Sequence, residues 1–199
     1  LSINNLMTAV NEQFMLAGET INLNVPAGPF ISVEGTDVSL LVAGQTLKGD
    51  FKFEKSTSAG VDKMIGTMDD EQVLSIAITN LSLRLGTPEM AFVTVTGGKG
   101  AILVTNSGIA ADISLSQVAF NIPGITVSGS FGLQINTMAN PVDTVLMAGG
   151  QALPIKLPGG SFLRVTVLGG NLTIGGSDGV VLSGDFVFEQ QTNTDGSSV

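Results

Sequence analysis

The first 34 residues of this chain recur 132 positions later without a gap, so whatever fold it adopts must accommodate the same build twice. Leu1 falls on Leu133, Ile3-Asn4 on Ile135-Asn136, Val10 on Val142, Met15 on Met147 and Gly18 on Gly150. Pro26, Gly28, Phe30 and Val33 meet Pro158, Gly160, Phe162 and Val165, which makes ten identities in 34 positions. Three extra residues around Gly175-Gly176-Ser177 then shift the offset to 135. Beyond them Leu47-Lys48-Gly49-Asp50-Phe51-Lys52-Phe53-Glu54 lies on Leu182-Ser183-Gly184-Asp185-Phe186-Val187-Phe188-Glu189. Residues 1–132 therefore read as one repeat unit, joined part-way through, and residues 133–199 as the first half of the next, matching 1–64. A unit interrupted at both ends is the pattern of a mature piece or of a window cut from a tandem array.

Inside the unit the hydrophobic period is two, the period of strands. Every odd residue from Ile125 to Ile135 is apolar or Gly, and Leu47, Gly49, Phe51 and Phe53 alternate with Lys48, Asp50, Lys52 and Glu54. Further runs are Ile31–Val42, Val73–Leu85, Ala91–Val95, Ala101–Val104, Ile113–Ile122 and Leu163–Ile174. Turn signals separate them, among them Gly97-Gly98-Lys99-Gly100, Asn106-Ser107-Gly108, Pro123-Gly124 and the Pro-Gly clusters at 26–29 and 158–160. Residues 5–16 carry a helix-like spacing of Leu6, Val10 and Phe14, but the matched copy holds Pro141, so this stretch reads as a loop feeding a strand near Phe14–Leu16.

The alternation changes phase across Asn80 and again near Gln117. A one-residue slip turns later side chains to the other face, so both sites should be bulges or corners. The recurring Gly-x-Phe of Gly49-Asp50-Phe51, Gly129-Ser130-Phe131 and Gly184-Asp185-Phe186 would let an aromatic ring from a neighbouring strand pack over the bare backbone. The expected fold is all-β: an elongated tandem repeat, β-solenoid-like or a rolled sheet, with a β-sandwich repeat as the alternative.

Composition narrows the chemistry. The chain has no Cys, His, Trp or Tyr, which removes thiol nucleophiles, Ser-His-Asp triads, disulfides and the usual zinc, haem and iron–sulfur ligands. Eight basic residues against 17 acidic ones, a net charge of −9, argue against nucleic acid and anionic membrane as partners. No run approaches the ~18 apolar residues of a membrane helix, and a transmembrane barrel wants aromatic girdles of Trp and Tyr. Membrane insertion is therefore not expected.

The carboxylates are the remaining strong acid–base groups. Asp50 and Glu54 stand roughly 13 Å apart along an extended strand, too far for a glycosidase pair, and with Lys48 and Lys52 they read as a solvated charge ladder. The acidic glycine turns at Asp178-Gly179 and Asp195-Gly196 and the cluster Asp69-Asp70-Glu71 have calcium-type chemistry, but residues 175–183 lack the spacing of calcium nonapeptide repeats. Asn80-Leu81-Ser82 and Asn171-Leu172-Thr173 have the N-glycosylation pattern, a triplet frequent by chance. No residue is assigned to catalysis, cofactor or metal, and the chain is not read as an enzyme.

The phrases Val25-Pro26-Ala27-Gly28-Pro29-Phe30 and Ala43-Gly44-Gln45-Thr46-Leu47-Lys48-Gly49-Asp50-Phe51-Lys52-Phe53-Glu54 resemble those of tandem β-repeat regions in giant secreted or surface proteins of Gram-negative bacteria, of adhesin or matrix type. The resemblance implies an extracellular or cell-surface array and carries over no catalytic or binding residue. The resulting expectation is an acidic structural segment of a bacterial fibre or adhesin stalk. Its partners would be like chains or adjacent repeats end to end, and possible cell-surface or matrix components. A calcium- or carbohydrate-binding β module is the alternative, disfavoured for sugar because Phe is the only aromatic.

Overall fold

A computed structural model of the chain describes residues 1–192, with 43, 61, 88, 177 and 178 left aside. The period-two runs become strands, which hold 76% of the described residues. In chain order they are β1 (Ser2–Asn4), β2 (Val10–Leu16), β3 (Glu19–Val25), β4 (Phe30–Val42), β5 (Gln45–Ser58), β6 (Glu71–Gly86) and β7 (Ala91–Thr105). They continue with β8 (Gly108–Ile122), β9 (Ile125–Asn136), β10 (Val142–Ala148), β11 (Gln151–Leu157), β12 (Phe162–Ile174) and β13 (Val180–Gln191). Nine of them form one open antiparallel sheet in the order β1-β4-β5-β6-β7-β8-β9-β12-β13, and β2–β3 and β10–β11 are separate hairpins. The described strands form neither a closed barrel nor a solenoidal coil.

The phase slips are bulges, and they line up. Registers shift between Gly35 and Val38 on β4, Ile78 and Leu81 on β6, Leu115 and Val118 on β8, and Val167 and Gly170 on β12. β7 adds its own extra residue at Gly97, whose φ is +66°. The unbulged strands β5, β9 and β13 present Gly49, Gly129 and Gly184 opposite these shifts. Each bulge inserts one residue where the sequence slips by one, so the apolar side chains stay on the same face through the whole strand. Cross-strand register then carries them across the sheet: Val33, Phe53, Ile76, Ile102, Ala111 and Ile135 face one another from strand to strand. The expected neighbouring ring is found only for Phe186, which lies over Gly170 as well as Gly184 of its own strand; Phe51 lies over Gly49 of its own strand, and Gly129 meets Leu168 and Gly170 with no ring.

The segments matched in sequence share their hydrogen bonds. Asn4 Nδ2 donates to the carbonyls of Thr8 (2.9 Å) and Pro26 (2.7 Å), and Asn4 Oδ1 accepts from Leu6 N–H (2.8 Å). At offset 132, Asn136 Nδ2 donates to Asn140 (3.0 Å) and Pro158 (2.7 Å), and its Oδ1 accepts from Met138 N–H (2.9 Å). Both Asn side chains are buried, where unpaired amide groups would be costly. Each therefore ties down the two chain segments that lead into and out of its hairpin. The hairpins have identical registers, Val10 with Val25 through Leu16 with Glu19, and Val142 with Leu157 through Ala148 with Gln151. Both turn on two residues with positive φ, Ala17-Gly18 (51° and 87°) and Gly149-Gly150 (54° and 73°), the combination that suits the twist of a two-residue hairpin.

The core lies under the second hairpin. β10–β11 crosses strands β5 to β9 and packs Ala148, Leu153, Ile155 and Leu157 against Ala77, Ala101, Ala110 and Phe162. Ile155 and Ala148 are fully buried. The small alanines matter, because they let a second layer approach the sheet closely without leaving voids.

Two sequence expectations need correction. Gly97-Gly98-Lys99-Gly100 is not a turn between two strands: β7 runs straight through it. Its glycines serve the sheet, since a Cβ on Gly98 would stand 2.9 Å from Leu81 Cβ and 3.1 Å from Leu115 Cδ2. The stretch 5–16 is likewise more ordered than a loop, with β2 beginning at Val10 because β3 pairs with it along its whole length.

Candidate functional site

No described cluster brings together three or more potential metal ligands. The site to examine is instead what the sheet leaves open. The accessible surface is 12211 Å², against about 8,800 Å² for a compact monomer of this mass. Sheet edges and an uncovered face contribute to that area. Among the described residues β13 pairs only with β12, and Val180, Val181, Leu182, Phe186, Val187 and Phe188 are all exposed along it. At the opposite end β1 covers β4 only from Phe30 to Ser32, leaving the edge bare past Leu40 and Leu41. The apolar face away from the hairpin is also open: Val33 and Phe53 remain 46% and 44% exposed, with the Phe51 and Phe53 rings stacked 6.4 Å apart on it.

The acidic residue of the recurring Gly-Asp-Phe has a defined job. Asp50 is buried, not part of a solvated ladder, because its oxygens close the β4 bulge. Oδ1 accepts from the N–H of Asp37 (2.7 Å), a residue held at φ +51°, and Oδ2 accepts from Asn80 Nδ2 (2.6 Å) and Thr79 Oγ1 (3.3 Å). Gly149 of the hairpin turn sits directly above, since a Cβ there would come within 2.7 Å of Asp50 Oδ2 and 2.9 Å of Thr79 Oγ1. In the second copy Asp185 Oδ1 accepts from Gly169 N–H, also at 2.7 Å, closing the equivalent bulge on β12. The other members of the supposed ladder do interact at the surface, Lys52 Nζ lying 3.0 Å from Glu54.

The Asp37 N–H is the foremost cause holding the Asp50 carboxyl below its ordinary range, followed by the Asn80 amide; partial desolvation opposes them and the Thr79 hydroxyl adds to them. A group with a depressed folded-state pKa stabilises the fold above its unfolded pKa, and that stabilisation is lost as pH falls through the folded value. Asp50→Asn should therefore lower the melting temperature at pH 7 and flatten its decline between about pH 5 and pH 2. Parallel melting curves for wild type and variant down this pH range would contradict the assignment.

The acidic cluster at 69–71 bonds to its own loop and to the β7–β8 turn, and Asp70 Oδ1 is buried without a hydrogen-bond partner. Asp70 Oδ2 accepts from Gly66 and Thr67 N–H, Asp69 Oδ1 from Thr67 Oγ1, and Glu71 Oε1 from the N–H and Oγ of Ser107. Burial works to raise the Glu71 carboxyl, but the donors of Thr105, Ser107 and Asn106 outweigh it and hold it low. Asp178 and Asp195-Gly196 lie outside the described residues. Of the two glycosylation triplets, Asn80 has its amide committed to Asp50, while Asn171 Oδ1 accepts from Thr173 Oγ1. No known protein family, curated protein or solved structure matches the chain.

Sequence reasoning missed the role of Asn4 and Asn136, although both stood among the ten identities. A polar identity beside apolar ones, next to a Pro-Gly turn, was the available signal. It also missed the bulges on β4 and β12, although Ile31, Val33 and Gly35 give way there to Val38 and Leu40, and Leu163, Val165 and Val167 to Gly170 and Leu172, the same one-residue slip.

Proposed function

We propose that this chain is a structural segment of an extracellular bacterial fibre or adhesin stalk, an elongated β repeat whose units add end to end along the sheet. The observation that carries this reading is one hydrogen-bonded build present at both ends of the sheet with opposite coverage. β12–β13 repeats β4–β5 strand for strand, yet β5 is flanked by β6 and touched by β10, whereas β13, among the described residues, pairs only with β12. Repeats of this kind complete their cores with neighbours, so surface left bare in one unit is covered in an array. Exposed, apolar strand edges are otherwise a hazard that folded monomers blunt. The resemblance to surface repeats supports the extracellular setting.

Antibodies raised against the chain should label intact cells of the source bacterium, or fibres shed from them, without permeabilisation. Labelling that appears only after the envelope is opened would refute the proposal.

A further inference from the structure

Resting on the end-to-end reading, we propose that the β2–β3 hairpin is a clasp that seats, apolar side down, on the sheet face of an adjoining repeat of the same build. The chain contains its own template for this contact, because β10–β11 has the same register, the same two-residue turn and the same Asn tether, and it is seated. In the seated copy Ala148, Leu153 and Ile155 are 0%, 5% and 0% exposed. Their counterparts are Leu16, Ile21 and Leu23, and Leu16 and Leu23 stand 60% and 43% exposed. Phe14, the counterpart of Leu146, is 47% exposed.

The hairpin's two sides decide its orientation. Asn11, Gln13, Asn22 and Asn24 alternate with the apolar set and so share the other side, where Gln13 Nε2 donates to Asn22 Oδ1 at 2.8 Å. One side is thus mostly polar, with Met15 the exception, and the other mostly apolar, with Glu12 opposite Leu23 in the place that Thr144 takes opposite Ile155 in the seated copy. In the seated copy the strands beneath are β5 to β9, those just N-terminal to the hairpin. By the same geometry β2–β3 belongs over the equivalent strands of the repeat that precedes it, with β1 continuing that repeat's last strand.

The seat must also be roomier than the one under β10–β11. Leu16 replaces Ala148, Phe14 replaces Leu146, and Ala17 brings a Cβ to the place where Gly149 approaches Asp50 and Thr79. The partner face is therefore of the same kind but recessed beneath the turn, and a hairpin fits its own floor better than another repeat's.

The lack of any cysteine makes the test direct, since one introduced thiol is the only one. Leu23→Cys and Leu153→Cys in the 199-residue chain should differ in maleimide labelling rate by at least ~100-fold, the former being fast. A second copy of residues 1–132 placed ahead of residues 1–199 supplies a preceding sheet, and the probe is Leu23→Cys in the downstream copy. A companion fusion also carries Phe14→Leu, Leu16→Ala and Ala17→Gly in that copy, to match the known floor. Labelling of the downstream thiol should slow to within ~10-fold of Leu153→Cys in the companion fusion, and less in the unmodified one. Fast labelling in both fusions, with circular dichroism showing native strand content, would overturn the clasp. That result would leave surface labelling of cells untouched, so the clasp and the fibre reading fail separately.

Discussion

Ile155→Ala is expected to destabilise the chain strongly while Leu23→Ala, at the matching position of the first hairpin, leaves it nearly unchanged. Ile155 is fully buried between the hairpin and the sheet, so truncation removes methyl groups from a packed core and leaves a cavity. Such substitutions cost about 2–5 kcal/mol, and for a chain of this length each kcal/mol moves the melting temperature by roughly 2–4 °C. A drop on the order of 10 °C is therefore expected for Ile155→Ala. Leu23 is 43% exposed and rests on no sheet, so it has little packing to lose. Thermal denaturation of both variants decides the matter. Equal losses would mean that the first hairpin is seated in solution, either on a second copy or on another part of the chain. Extending the chain upstream should convert Leu23 into a costly position like Ile155, which links this measurement to the clasp.

Joining residues 1–132 ahead of residues 1–199 should lengthen the particle by about 29 Å and raise its melting temperature. From β9 of one copy to the equivalent strand of the next, a unit contributes six strands to the sheet, and neighbouring strands stand about 4.8 Å apart. The junction from Gly132 to Leu1 imitates the natural step from Gly132 to Leu133. Stability should rise because the added unit covers the edge of β4 and the underside of β2–β3, turning exposed apolar surface into core. Small-angle scattering measures the maximum dimension and calorimetry the melting temperature. A fusion that grows in cross-section at constant length, or melts lower than the shorter chain, would count against addition along the sheet. A fusion behaving as two independent particles on a tether would do the same.

These expectations rest on equivalences that were partly visible before any coordinates. The all-β class followed from the alternation, since a period of two puts one residue type on one face of a strand and cannot do so on a helix. The Asn80 and Gln117 phase changes marked bulges for the same reason: an apolar set that crosses from odd to even positions needs an extra residue to remain on its face. Along Gly97–Gly100 the same logic misled, because glycine serves both turns and close approach. Only the neighbours Leu81 and Leu115 show which is meant.

What the sequence by itself determined are properties that depend on a residue and its near neighbours along the chain. These are the strand period, the recurrence at 132 and 135, the turns at Asn106-Ser107-Gly108 and Pro123-Gly124, and the absence of thiol and imidazole chemistry. Tertiary structure decided the rest. The Asp50 carboxylate looked like one rung of a surface ladder until Asp37, Thr79 and Asn80, up to 30 positions away in sequence, were seen to converge on it. The two hairpins are alike in pattern, register and tether, yet one is core and the other surface. That difference is written in neither hairpin. It depends on whether a sheet lies beneath, and burial belongs to the pair of surfaces in contact, not to either strand alone.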